Sequence, residues 1–321
     1  MRKILFSLLL AGTMLAAEVN VQLPESKLTV RVLDEDSRPI TGATVTIAFE
    51  NPVPKWGGGE EKPAIGLTDT RGIFSASGRS YDTLGGNVKK DGYYQSWWES
   101  YKFEKQELRK WKPWNPTTAV VLKRIGQPIG MYAKKVETDL PMADTPVGFD
   151  LTEGDWVAPH GRGKTSDFIF KLTKRVASFE DYGAELLLTF ANQFDGIQSF
   201  AVEPKWTSAL RSLRMAPEKR YNPNLSLLQG RSKEKGSYGW NNKNRNYFFR
   251  VRTTAGESGG IAIGLYGKIY GEIEYFPTSS NTAKLRFTYY LNPTPNDRNV
   301  EFDPKRNLFR NLKSEEEVTA P

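Results

Sequence analysis

The sequence predicts an all-β protein in two parts. An N-terminal antiparallel β-sandwich covers residues 26–125, and a second antiparallel β-sandwich or jelly-roll-like part covers residues 126–310. Two observations carry this. From Leu28 onward apolar residues recur with a period of two (Leu28, Val30, Val32, then Ala43, Val45, Ile47), the pattern of strands with one buried face. Beyond residue 126, short runs of the same kind recur, separated by glycine, asparagine and proline. The only plausible helix in the second part is Trp206–Arg214.

The N-terminus has two basic residues, Arg2 and Lys3, an apolar run from Ile4 to Leu15, and Ala16-Ala17 before Glu18. This is the build of a secretory signal peptide over residues 1–17, and the run is too short to span a bilayer. The 321 residues include no cysteine, which excludes lipid attachment through cysteine, disulfides and thiolate metal sites. No later stretch reaches membrane-spanning length, so the expectation is an exported chain without a transmembrane segment and without a redox or metal cofactor. The net charge is +8, falling by two once Arg2 and Lys3 are removed. Outside the cytoplasm a basic surface of this size suits anionic envelope polymers before nucleic acid, and it also serves solubility alone.

Residues 18–27 read as an exposed leader. The first strands break at Asp34–Pro39 and resume through Ile47, after which Asn51–Pro63, with three prolines and three adjacent glycines, forbids regular structure. Trp56 lies in that loop. Thr68-Asp-Thr-Arg-Gly-Ile-Phe74 then places Asp69 and Gly72 in a tight turn before another strand. With Gly42-Ala-Thr-Val45 and Lys90-Asp-Gly-Tyr93, this segment resembles the carboxypeptidase regulatory-like domain, a small transthyretin-like, Ig-like sandwich common on exported bacterial proteins. The resemblance covers about a third of the chain and implies a scaffold, not an activity.

From Tyr93 to Trp114 eight aromatics are interleaved with lysine and arginine, and Glu99–Lys110 has the composition of a short helix. Rings among cations suit stacking on sugars, and equally suit packing between the two parts. Thr117–Lys123 reads as the closing strand and Arg124–Pro128 as a linker. Strands are expected at Phe168–Val176, Ala184–Phe190, Gln198–Val202, Tyr247–Thr253, Ile261–Phe276 and Ala283–Leu291, and disorder at 311–321.

Several motifs invite a chemical reading. Ala158–Thr165 fits a loose phosphate-loop pattern, but a strand-like run follows it where a helix is required, leaving a glycine-rich turn. Gly256-Glu-Ser-Gly-Gly260 resembles the nucleophile motif of chymotrypsin-like proteases, with His160 and Asp167 in the right order, yet it lies where a hairpin turn belongs. Gly154–Gly163 concentrates Asp155, Trp156, His160 and Arg162, with Lys164 following, in one loop. Glu272 and Glu274 share a strand face, as a glycosidase acid pair or as an exposed acidic face. Lys205–Arg250 holds eleven basic residues against Glu218 and Glu234, with Tyr221, Tyr238, Trp240 and Tyr247 interleaved.

The expected function is an exported, non-catalytic binding or structural module of the cell envelope, with carbohydrate or an anionic polymer as its ligand. Candidate binding residues are Trp97, Trp98, Trp111, Asp155, Trp156, His160, Arg162, Lys164 and Trp240. The rival is a secreted hydrolase acting on glycan or peptide, its site in the C-terminal part.

Overall fold

The computed structural model describes residues 23–52, 59–201, 208–239, 245–257, 259–279 and 281–321. The signal peptide, Trp56, Trp206, Trp240 and Ser258 lie outside the described residues. Among the described residues the protein is all-β, with no α-helix and a single 3₁₀ turn at Pro304–Arg306. Among the described residues no helix is long and apolar enough to cross a membrane.

The chain forms two compact units. The first comprises the described chain up to Leu33, Ser37–Lys89 and Ser100–Val120. The second comprises Asp34–Asp36, Lys90–Glu99 and Val121–Pro321, so three short segments of the expected first sandwich group with the second unit.

The strands of the first region are β1 (Glu25–Asp34), β2 (Thr44–Ile47), β3 (Glu50–Pro52), β4 (Gly59–Glu61), β5 (Ala64–Leu67), β6 (Ile73–Arg79), β7 (Thr83–Lys89), β8 (Ser96–Lys102), β9 (Lys105–Glu107), β10 (Lys110–Lys112) and β11 (Thr117–Leu122). One sheet runs β11-β1-β10-β9 with β6 also on β1, a second runs β5-β2-β7-β8, and β3 pairs β4. Leu28, Val30 and Val32 from β1 and Val45 and Ile47 from β2 are fully buried, as the period of two requires. Gly42, Gly72 and Gly92, on which the family resemblance partly rests, all have left-handed φ. Gly72 is the tightest, since a Cβ there would sit 2.5 Å from the Val32 carbonyl oxygen. Asp69 closes this turn by accepting from the N–H groups of Arg71 and Ile73.

The expected helix over 99–110 is absent. β9 and β10 form a hairpin whose two loop residues, Leu108 and Arg109, both have left-handed φ, the geometry of a type I′ turn. Asn-Gly is the usual signal for that turn, and its absence explains why composition pointed to a helix.

The second unit contains β12 (Tyr132–Asp139), β13 (Val147–Asp150), β14 (Asp155–Trp156), β15 (Phe168–Ser178), β16 (Asp181–Thr189), β17 (Gly196–Ala201), β18 (Asn224–Ser232), β19 (Gly236–Tyr238), β20 (Arg245–Ala255), β21 (Ile261–Ile269), β22 (Glu274–Phe276) and β23 (Lys284–Leu291). Two six-stranded sheets face each other. One runs β14-β13-β15-β16-β18-β19, and the other runs β12-β23-β21-β20-β17 with β22 on β23. Their shared core holds Phe149, Phe168, Phe170, Leu186 and Leu188 from the first sheet and Tyr247, Phe249, Leu285, Phe287 and Tyr289 from the second. Phe168 meets Phe249 edge-on at 5.0 Å across it. The expected single strand over 261–276 is interrupted at Gly271, whose φ is +83°. The described part of the expected Trp206–Arg214 helix is irregular.

The second sheet is buried on both faces. Its far side carries Met131, Ala133, Phe248, Tyr266 and Tyr290, covered by Ala216, Val300, Phe302 and Val318. That double burial explains the unbroken apolar run Tyr247-Phe-Phe249. Val318 overturns the expectation of a disordered tail. Around it the Glu316 carbonyl accepts from the Lys135 N–H and the Glu316 carboxylate pairs with Lys134 at 2.9 Å, while the Tyr290 hydroxyl donates to the Ala320 carbonyl.

Lys268, on β21, lies in this second core at 2 % exposure, its ammonium 3.0 Å from the Ser212 hydroxyl and 4.8 Å from the centre of the Tyr290 ring. Burial pulls its pKa down to about 7, against the pull of Glu301 and reinforced by Lys123. Unfolded, the same amine titrates near 10.4. Between these values the unfolded chain holds a proton that the folded chain lacks, so stability rises with pH from about 7 to about 10 and is level below. The span corresponds to at most ~5 kcal/mol. Lys268→Met is expected to flatten this rise and to raise the melting temperature at pH 7; urea melts across pH 6–10 check both.

Candidate functional site

The loop between β13 and β15 is a structural knot. Asp150 accepts from the Thr152 N–H and hydroxyl with one oxygen, and from the N–H groups of Lys164 and Thr165 with the other, all at 2.7–2.9 Å. Burial opposes its ionisation, but these bonds together outweigh burial and hold its pKa at about 2. Asp167, fully buried, takes Arg252 Nε at 2.7 Å and Nη2 at 2.8 Å, and Arg252 also reaches Asp150 at 3.1 Å. Burial nevertheless raises the Asp167 pKa. Arg252 itself has a left-handed φ of +54°, at the bulge where β20 slips its register on β21.

The residues expected to bind ligand in this loop are parts of that knot. Trp156 is core at 4 % exposure, edge-on to Phe149 and Phe170, its indole N–H reaching the Thr138 hydroxyl at 3.3 Å. It offers no free ring face, which corrects its place as a stacking residue. Asp155 caps the turn by accepting from the N–H groups of Trp156 and Arg162. Arg162 and Lys164 are exposed and paired with Asp155 and Glu153. His160 is exposed, and Asp167, which stood in the triad order, is committed to Arg252. Gly256 and Gly260 close a hairpin through the Gly256 N–H and Gly260 carbonyl, the turn that the sequence favoured over a nucleophile motif. Among the described residues no three His, Cys, Asp or Glu converge as metal ligands.

The basic segment is also partly spent on structure. Arg214 pairs with Glu35 at 2.8 Å, Arg231 with Glu180, and Arg245 with Glu272. Arg250 is buried and donates to the carbonyls of Phe194 and Glu218. Arg211 covers the Tyr270 ring. Lys219, Arg220, Lys233 and Lys235 remain exposed.

Of the aromatic segment, Trp98 is core at 5 % exposure and Trp97 is exposed. Trp111 is half-buried, stacked on Phe103 at 6.0 Å, with its indole N–H donating to the Ser80 carbonyl at 2.9 Å. Trp98 and Trp111 are thus structural. Besides Trp97, the ring that remains presented is Trp114, which sequence reasoning passed over. It is 38 % exposed, with the Lys110 ammonium 5.0 Å from its ring centre.

Trp114 stands on a groove of about 470 Å³ in the first unit, walled by Glu25, Glu50, Lys62 and Arg79. Its floor is Phe49, which packs so closely on Gly78 that a Cβ there would lie 2.5 Å from the ring. β10 pairs Lys110 with Glu25 of β1, which fixes the chain just before the indole against the groove wall. An indole face beside carboxylates, an ammonium and a guanidinium can cover the C–H face of a pyranose while its hydroxyls find donors and acceptors.

A larger groove of about 720 Å³ lies on the second unit, lined by Glu137, Glu272, Glu274, Lys284 and Arg286 among others. Glu137 pairs with Arg286 at 2.9 Å and Lys284 at 3.2 Å. The side chain of Glu272 is buried, at 6 % exposure, where it accepts from the Tyr247 hydroxyl at 2.7 Å and pairs with Arg245 at 3.4 Å. The expectation of an exposed acidic face therefore fails for Glu272.

No family model matches the chain, and no curated protein does. Among solved structures it is similar to a 3-chlorocatechol 1,2-dioxygenase from Rhodococcus opacus (12 % identity, 32 % of this chain and 60 % of that one, TM-score 0.24). It is also similar to a streptococcal ancillary pilin (9 %, 70 % and 52 %, TM-score 0.22) and to the shaft pilin of Lactobacillus rhamnosus GG (11 %, 59 % and 94 %, TM-score 0.20). The chain spans under two thirds of the first two, and overlaps this slight carry no inference about activity or partner.

Arg252→Met is expected to destabilise the second unit by roughly 3–5 kcal/mol, because it strands two buried carboxylates. Trp156→Ala should cost a similar amount, about 3–5 kcal/mol, through the cavity it leaves. Urea unfolding of the full chain measures both, and a cost below about 1 kcal/mol for either would return the loop to the surface.

Proposed function

We propose that this chain is an exported, non-catalytic module of the cell envelope that binds carbohydrate on its first unit. One observation carries the reading: Trp114 presents an indole on a groove whose other walls are charged hydrogen-bonding side chains. Export rests on the N-terminal sequence pattern. A polyanionic ligand is the weaker choice, since Arg214, Arg231, Arg245 and Arg250, four of the cations that suggested it, are tied into ion pairs and backbone contacts.

A second reading, a glycan hydrolase, is favoured by the placement of Glu272 and Glu274 in the 720 Å³ groove. It requires that Glu272→Gln abolish release of reducing ends from the oligosaccharides below while leaving their binding intact.

Trp114→Ala is expected to weaken binding of a neutral hexasaccharide by about thirtyfold, ~2 kcal/mol, without lowering the melting temperature. Calorimetric titration of the mature chain with cellohexaose, xylohexaose and chitohexaose checks this. Unchanged affinity in the variant would remove the groove from the ligand path.

A further inference from the structure

The outer face of the second unit's β14–β19 sheet carries one unusual row. Register places Arg175, Gly183, Gly230 and Tyr238 side by side on four consecutive strands, β15, β16, β18 and β19. Two facing glycines in central strands weaken a sheet, so their presence asks for a reason. A Cβ on Gly230 would lie 2.3 Å from Tyr238 Oη and 2.4 Å from Cζ, and one on Gly183 would lie 3.2 Å from Oη. The bare backbone of the pair is therefore the floor on which the phenol ring rests.

The ring is held from both sides. Gly236, with φ +64°, turns the chain into β19. Gly239, with φ +72°, comes so close to β18 that a Cβ would fall 1.7 Å from the Leu228 carbonyl oxygen. Tyr238 is nonetheless 41 % exposed. Polar groups border it in the same face: Arg175 is paired with Asp181 at 2.7 Å, and Glu185, in the next row between Thr173 and Leu228, accepts from the Ser226 hydroxyl at 2.6 Å.

A fixed, flat ring costs little entropy to bind against, because its rotamer is already chosen. Its exposed surface suits the C–H face of a pyranose, and the bordering guanidinium and carboxylates suit the equatorial hydroxyls. The border carries both signs of charge, which fits a neutral sugar better than a polyanion. We propose that Tyr238 on the Gly183–Gly230 floor is a second sugar-stacking subsite, with Arg175, Asp181 and Glu185 as its hydroxyl-binding border and a neutral β-linked glycan as its ligand. The ligand class rests on the reading given for Trp114; the site itself does not.

The test is calorimetric titration of the full mature chain with cellohexaose, xylohexaose and chitohexaose, in the wild type and in a Trp114→Ala background. In that background Tyr238→Leu, which still covers the glycines with an apolar side chain, is expected to weaken the remaining binding about tenfold. Tyr238→Phe keeps the ring and should stay within about twofold. Gly230→Ala keeps the tyrosine but pushes it off its floor, and should match Tyr238→Leu. Arg175→Ala, an exposed change that spares the hairpin, should weaken binding about threefold and keeps the test valid if a hairpin variant fails to fold. Wild-type affinity in Tyr238→Leu, Gly230→Ala and Arg175→Ala overturns the subsite. Loss on Trp114→Ala alone, with nothing left for Tyr238 to affect, overturns it while the Trp114 groove stands. Loss through Tyr238 with Trp114→Ala silent does the reverse, and no binding of any of the three sugars overturns both.

Discussion

The second unit depends on the burial of Asp150 and Asp167 against Arg252. Two carboxylates removed from water must be compensated in full, and here one arginine and six backbone or hydroxyl donors do so. Arg252 reaches them because β20 bulges there and the residue takes a left-handed φ. The bulge turns an arginine that alternation would place on the other face of its sheet toward the loop. The loop's conformation, the position of Trp156 and the meeting of the two sheets at that end all follow from this one placement.

Glu301 performs a comparable task elsewhere in the unit. Almost wholly buried, it accepts from the Tyr94 hydroxyl and from the N–H groups of Gly126 and Gln127, and Arg214 lies 3.8 Å away. A Cβ on Gly126 would come within 2.6 Å of its carboxylate, so the glycine in the expected linker is a packing requirement. Arg214 is thereby drawn between Glu301 and Glu35. The charge concentrated over 205–250 is thus partly the counter-charge of acidic residues far away in sequence, which a local count cannot see.

What was legible in the sequence follows from what is local. The period of two in Leu28–Val32 and in β16 identified strands because one face of each is buried. The turns at Gly72 and Gly256–Gly260 were legible because glycine and aspartate announce them. The type I′ turn at Leu108-Arg109 was illegible because neither residue favours left-handed φ, and the surrounding hairpin imposes it. The packed tail was illegible because three consecutive glutamates outweigh, in composition, the one valine that docks.

The aromatic residues show the same division more sharply. Composition marks where rings are abundant, and abundance selected Trp97, Trp98, Trp111 and Trp156, three of which are structural. A tryptophan has too much apolar area to be left out without cause, so burial is its default and exposure the informative state. Exposure here has a partner in sequence. Gly78 lets Phe49 sink into the groove floor beneath Trp114, and Gly230 lets Tyr238 lie flat across its sheet. Gly230 faces Tyr238 directly across a strand pair, eight residues away, whereas Gly78 pairs with Ser26 and shapes the groove through Phe49. The signal of a presented ring is therefore a glycine in the surface beneath it, and which glycines lie there is known only once the strands are paired.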